Sequence, residues 1–269
     1  MFGVSQQVVV GNRILAALPR QDFARLSPHL TTVRLRKDEV VYITGDQIRY
    51  VYFPISGLMS LLSTTETGST VEVAMVGNEG IVGLPVILKN RMIPYEVTVQ
   101  TDTDAYRIKA EEVQEEFDKG GALHELILRY LNVLIAEISQ SALCHRFHTV
   151  EKALGRWLLM AQDRLKTERL NVTQEIISYS LGVPRTGVTM AAGALQRAGL
   201  ISYRRGKIMI LDRARLEANS CECFRIIHDE LSHFLTEQKP ECVCFQTKSN
   251  SRQTGESTCR CTGRRELKF

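Results

Sequence analysis

The chain has 269 residues, 34 Lys and Arg against 30 Asp and Glu, 44% hydrophobic residues and 24% charged ones. That is enough for two small domains with their own cores, and the composition excludes a fibrous or low-complexity protein. No uninterrupted apolar run approaches the roughly 18 residues of a membrane span and no signal-peptide pattern opens the chain, so a cytoplasmic protein without membrane contact is expected.

Residues 1–10 show no periodicity and are expected to be loose. Residues 12–18 and 21–26 suit short helices. Residues 30–36 alternate and read as a strand. Short β-branched runs follow at 40–42, 50–53, 58–63, 71–76, 96–100 and 105–108, split by turn residues such as Gly45, Gly57, Gly68, Gly77, Gly80 and Gly83. Strands at this spacing predict an antiparallel barrel or sandwich. Residues 109–118 form an acidic helix, broken at Gly120-Gly121. A long helix from 122 to 141 repeats Leu123, Ile127, Tyr130, Leu134, Ile138 and Ser141 at steps of three and four, beside a less apolar stripe of Leu126, Val133 and Glu137. Such a seam must be covered, by the barrel or by the same helix of a second copy; a dimer seam is expected. Residues 149–165 predict an amphipathic helix with Ala153, Leu154, Trp157, Leu158 and Ala161 inside. A single acidic helix is expected over 215–235, and disorder over 236–269.

Residues 173–211 carry the chemistry. Thr173 suits a helix cap, Ser178 is small where two helices cross, and Gly182 sits at a turn that needs positive φ. Ile177, Leu181, Val183 and Val188 supply inner faces. Pro184 fits the first turn of a second helix, 184–198. After Gly199, residues 200–211 alternate as a two-stranded ribbon tipped by Arg204-Arg205-Gly206-Lys207. This is a winged helix-turn-helix, whose second helix enters a DNA major groove. Charge agrees: residues 149–215 hold 12 Lys and Arg against 5 Asp and Glu, whereas residues 1–148 hold 14 against 17.

A barrel, a long helix and a winged helix-turn-helix, with Gly45-Asp46, Tyr52-Phe53 to Gly57 and Gly80-Ile81-Val82-Gly83 as local marks, resemble the Crp–Fnr superfamily of bacterial transcription regulators. The resemblance implies an α+β fold: an antiparallel, jelly-roll-like effector barrel over 12–120, a long dimerisation helix over 121–147, a winged helix-turn-helix over 148–235 and a cysteine-containing tail over 236–269. It implies a homodimer on double-stranded DNA with a pseudo-palindromic operator, an effector of unknown identity, RNA polymerase as partner if the protein activates, and no enzyme activity. Arg185 falls at the family's recognition-helix arginine, which can hold a guanine edge by two bonds. Thr186 stands where the cyclic-AMP-responsive members carry glutamate. Thr189 and Met190 lie one turn on. Thr173, Arg204, Arg205 and Lys207 complete the expected DNA contacts, the wing residues as phosphate contacts.

The family's cyclic-nucleotide cradle uses a Gly-Glu pair and an Arg-Ser pair. Here the first reads Gly83-Leu84, and the segment Arg91-Met92-Ile93-Pro94-Tyr95-Glu96 has no Arg-Ser; Arg91 is the available substitute and Glu96 would repel a phosphate. A degenerate barrel that does not bind cyclic AMP is expected. No Cys precedes Cys144 and no His or Cys lies between residues 30 and 123, which argues against an N-terminal iron–sulfur cluster, a haem and a barrel metalloenzyme. Met59, Met75 and Met92 read as core. The pairs Cys221/Cys223, Cys242/Cys244 and Cys259/Cys261 keep a metal- or redox-responsive regulator as an alternative, but their Cys-x-Cys spacing departs from the usual zinc pattern. No metal ligand and no cofactor are therefore assigned. A signalling module whose helix-turn-helix docks a protein is the remaining alternative.

Overall fold

Alternating apolar runs pair into two antiparallel sheets in the N-terminal half of the computed structural model, which describes residues 11–236. One sheet has the order β1 (Thr31–Leu35), β7 (Thr103–Lys109), β3 (Tyr50–Pro54). The other has the order β2 (Val40–Tyr42), β6 (Glu96–Thr101), β4 (Leu58–Thr64), β5 (Thr70–Val76). All seven expected strands form, with ends displaced by a residue or two. Val51, Phe53, Met59, Val97, Val99 and Ile108 are buried in the barrel core. Gly57 is required at its turn: φ is +77°, and a Cβ there would stand 2.6 Å from the Asp102 carbonyl oxygen. Met75 is core as expected, but Met92 is exposed, because Asn90 and the Gln47 bridge hold its segment at the rim.

Two short helices, α1 (Arg13–Ala16) and α2 (Arg20–Leu26), precede the barrel. Asn12 fixes the first. Its Oδ1 accepts from the Ile14 and Leu15 amides, and its Nδ2 donates to the carbonyls of Pro54 and Gly80 at 2.9 and 2.8 Å. The barrel leads to α3 (Ala110–Asp118) and then to α4 (Ala122–Phe147), about 39 Å long at 1.5 Å per residue.

The face of α4 expected to meet a second copy is mostly covered within the chain. Leu123, Ile127, Tyr130, Leu134 and Ser141 are buried, together with Val133 and Glu137. Only Ile138 of the expected seam is exposed. The open large apolar positions are instead Leu128, Ile135, Ile138, Leu143 and Phe147, with half-buried Leu131 and exposed Ala142 in line with the first three. The shift has a simple cause: β5, α3 and α1 of the same chain pack on the first stripe. By length and hydropathy α4 would pass as a membrane span. It is instead a packed helix, with Glu137 accepting a 2.8 Å bond from the Met75 amide.

The remainder comprises α5 (Val150–Leu165), β8 (Arg169–Asn171), α6 (Gln174–Leu181), α7 (Arg185–Arg197), β9 (Ile201–Arg204), β10 (Lys207–Ile210), α8 (Arg213–Asn219) and α9 (Glu222–Thr236). Strands β8, β10 and β9 form a three-stranded sheet; β8 lies in what reads as a linker. The single helix expected over 215–235 is two. Asp212 caps α8 through the Arg215 amide, and Ser220 breaks the run with extended backbone (φ −77°, ψ 177°). A second apolar core built on Leu154, Trp157, Leu158, Ile177, Val188, Leu200 and Ile208 fills this half, and Leu58 and Met75 of the barrel belong to it. The expectations for residues 1–10 and for the tail beyond residue 236, with its two Cys-x-Cys pairs, lie outside the described residues.

Candidate nucleic-acid interface

Thr173 caps α6, its Oγ1 accepting from the Ile176 amide at 3.2 Å. Gly182 ends the helix at φ +62°, the left-handed conformation that favours glycine. Ser178 is more than small: its hydroxyl donates to the Val183 carbonyl at 2.6 Å and stitches the turn. Pro184 stands one residue before the second helix, as its cap, so Arg185 is the first helical residue. Ile177, Leu181 and Val188 are buried and Val183 half-buried, which sets the crossing of α6 and α7.

All eight residues assigned to DNA contact from the sequence are exposed. Arg185, Thr186, Thr189 and Met190 share the outer face of the start of α7. Met190 is 73% exposed. Thr189 is partly committed: its hydroxyl donates to the Arg185 carbonyl at 2.9 Å and accepts from Gln174 Nε2 at 3.1 Å. Arg185 Nη2 pairs with Glu175 Oε1 at 2.8 Å. Sequence reasoning misses Gln174 and Glu175. They start α6, and only the crossing of the two helices brings them under Arg185 and Thr189.

The wing turns at Arg205 (φ 49°) and Gly206 (φ 75°), two successive positive φ values that mark a type I′ hairpin. This puts Arg204 directly opposite Lys207. Like charges opposed across a hairpin destabilise it, and a nearby anion removes that cost. Gln196 Oε1 accepts from the Tyr203 amide at 2.8 Å, which fixes the wing to α7.

In the barrel, Leu84 is buried in a 3₁₀ turn, Leu84–Leu88, entered through Gly83 at φ 101°. Arg91 faces outward, 63% exposed, and lies 3.6 Å from Glu111. Neither residue presents a charge or donor to the barrel interior.

Two buried polar clusters join this half to the barrel. Glu72 of β5 accepts from Trp157 Nε1 at 2.8 Å, from the Ser60 hydroxyl and from the Ser180 hydroxyl at 3.3 Å. Burial raises its carboxyl to about 7, against the pull of Ser60 and Trp157. Arg164 of α5 donates from Nε to Glu79 and from Nη2 to Glu137, both at 2.7 Å. Burial also raises the Glu137 carboxyl, with Arg164 opposing. Gly182 itself packs on the barrel, where an added Cβ would come within 3.2 Å of Val71.

Comparison with known proteins agrees with these parts. A cyclic nucleotide-binding domain model matches residues 32–119 and a Crp-like helix-turn-helix domain model matches residues 152–219. The chain is 22% identical over 213 residues to the global nitrogen regulator of Nostoc sp., covering 76% of this chain and 95% of that protein. Among solved structures it resembles FixK2 from Bradyrhizobium japonicum, with TM-score 0.64, 17% identity and coverage of 71% and 98%. It also resembles a Crp/Fnr-family regulator from Eubacterium rectale, with TM-score 0.61, 20% identity and coverage of 77% and 96%.

Proposed function

This chain belongs to the Crp–Fnr superfamily of transcription regulators, and on that premise we propose that it acts as a cytoplasmic homodimer reading a pseudo-palindromic DNA site with α7, under a barrel that does not hold cyclic AMP. The observation that carries the proposal is the exposed face Arg185, Thr186, Thr189 and Met190 beside the like-charged wing. Arg185 reads a guanine edge, Met190 offers an apolar contact to a thymine methyl, and Arg204, Arg205 and Lys207 take phosphates. Glu175 holds Arg185 in the free protein and yields it to the base. Such an exposed pair stabilises by only about 0–1 kcal/mol, so the exchange is inexpensive.

The dimer seam is the open stripe Leu128, Leu131, Ile135, Ile138 and Ala142, whose alternating steps of three and four are those of a coiled coil. Two copies joined there present two recognition helices to half-sites one helical turn apart, about 34 Å. Leu84 in the core and Arg91 turned outward leave the ribose and phosphate of a cyclic nucleotide without partners.

Selection from random duplex DNA tests the reading. A two-fold symmetric site is the expected product. Arg185→Ala is expected to lose about 1–3 kcal/mol of discrimination at one base of each half-site. Equal weakening on selected and random DNA would reduce Arg185 to a phosphate contact. Ile135→Lys is expected to yield monomers in sedimentation and to abolish tight binding. A protein that sediments as a dimer yet enriches no sequence would instead point to a protein partner for the helix-turn-helix.

A further inference from the structure

Four metal-ligating side chains meet where α4 hands over to the DNA-binding half. Cys144 comes from the last turn of α4, and His148, four residues on, caps that helix. Cys221 and Cys223 flank the first residue of α9. Their ligand atoms all lie within 4.8 Å of one another. Cys144 Sγ is 3.5 Å from Cys221 Sγ, and Cys223 Sγ is 3.6 Å from His148 Nδ1. All three cysteines are buried and none is in a disulfide. We propose that Cys144, His148, Cys221 and Cys223 form a tetrahedral site for a single zinc ion, which clamps the end of α4 to the start of α9.

The 3.5 and 3.6 Å contacts suit that ion, and the remaining ligand atoms, within 4.8 Å, would draw in on binding. With Zn–S of about 2.3 Å and Zn–N of about 2.0 Å, tetrahedral ligand atoms stand about 3.6–3.8 Å apart. A disulfide would need about 2.05 Å between sulfurs. The ligands of a multi-iron cluster stand farther apart than these four, so the site holds one ion. Three thiolates and one imidazole favour a thiophilic metal over a hard one. The Cys-x-Cys spacing works because Ser220 is extended and Cys221 precedes the helix, which lets both sulfurs face the same side.

The surroundings also suit a metal. His148 Nδ1 faces the cysteines while its Nε2 lies 3.3 Å from Glu222 Oε1. A carboxylate on the far nitrogen of a ligating histidine fixes the tautomer and orients the ring. The Cys221 contact and burial push the Cys144 thiol up and burial pushes Cys223 up, while buried Arg156 is a positive charge that opposes this at all three cysteines. With it, the net charge of three thiolates and a divalent ion is cancelled. The site joins chain segments more than 70 residues apart, the end of α4 and the start of α9. Metal occupancy therefore sets how firmly those two ends are held together.

The test uses full-length, untagged protein purified under reductant, with zinc measured by elemental analysis. Cys242, Cys244, Cys259 and Cys261 are replaced by serine in a control chain, since they offer rival ligands. One zinc per chain is expected in the wild type and in this control, with a thermal midpoint that falls on chelation. Cys144→Ser and Cys221→Ser are expected to lose the ion. Cobalt substitution should give tetrahedral d–d bands and thiolate charge transfer. His148→Cys should keep the metal and strengthen the charge-transfer band, which separates a lost ligand from a lost fold. Glu222→Gln should weaken zinc affinity about tenfold. Zinc that persists in Cys144→Ser and disappears from the tail-serine chain overturns the proposal. So does a folded tail-serine chain that takes up no zinc when reduced, or one that is isolated only with a Cys144–Cys221 disulfide.

Discussion

The two buried clusters between the barrel and the DNA-binding half solve the same problem differently. Around Arg164, two carboxylates share one guanidinium; Glu79, Glu137 and Arg164 are each only 3% exposed along their side chains. Around Glu72, every hydrogen-bond donor is neutral: an indole, two hydroxyls and the more distant Gln100 amide at 3.4 Å. A buried carboxylate beside a cation feels an attraction that opposes the lost hydration, as that of Arg164 does at Glu137, whose carboxyl burial still raises. One held by neutral donors is poised between its two forms, and here the balance falls near neutral pH. The first cluster is a joint braced by a cation, and the second is a joint whose strength follows the proton.

The most damaging way to break the comparison is Arg164→Met. It leaves Glu79 and Glu137 buried without a cation, and a loss of about 3–5 kcal/mol is expected in urea unfolding. Loss below about 1 kcal/mol would mean that the carboxylates simply take up protons and that the joint is not ionic. Glu72→Gln sharpens the contrast. The folded carboxyl titrates near 7 against an ordinary 4.5, so its contribution is fully present below about pH 4.5 and is lost as pH rises through about 7. The wild type should therefore lose stability relative to Glu72→Gln across that window. Trp157, the single tryptophan, donates to Glu72 and reports the change directly in its fluorescence. Parallel pH curves for the two proteins would assign the titration elsewhere. Ser180→Ala is the mildest test. It removes one long hydrogen bond across the joint and should cost about 0.5–1.5 kcal/mol.

Local patterns were legible because their physics is local. The β-branched runs, the turn glycines, the Thr173 cap and the Gly182 turn each depend on neighbours within a few residues, and each forms where the pattern puts it. The exposure of Arg185, Thr186, Thr189 and Met190 follows from helical periodicity alone. Which stripe of α4 stays open did not follow from it. Two apolar faces compete on that helix, and the one that β5 covers is chosen by sheet geometry. Glu175 beneath Arg185 was invisible for a similar reason, since a crossing angle and not a spacing joins them.

The sequence alone determined the order of parts, the basic helix-turn-helix and the family, because hydrophobic period, capping chemistry and charge are written along the chain. Only the tertiary structure brought Cys144 and His148 to Cys221 and Cys223, buried Glu72 under Trp157 and Ser180, and closed Arg164 on two carboxylates. Those groups are 27 to 108 residues apart along the chain. Their chemistry depends on distance and burial, and the linear order of residues specifies neither.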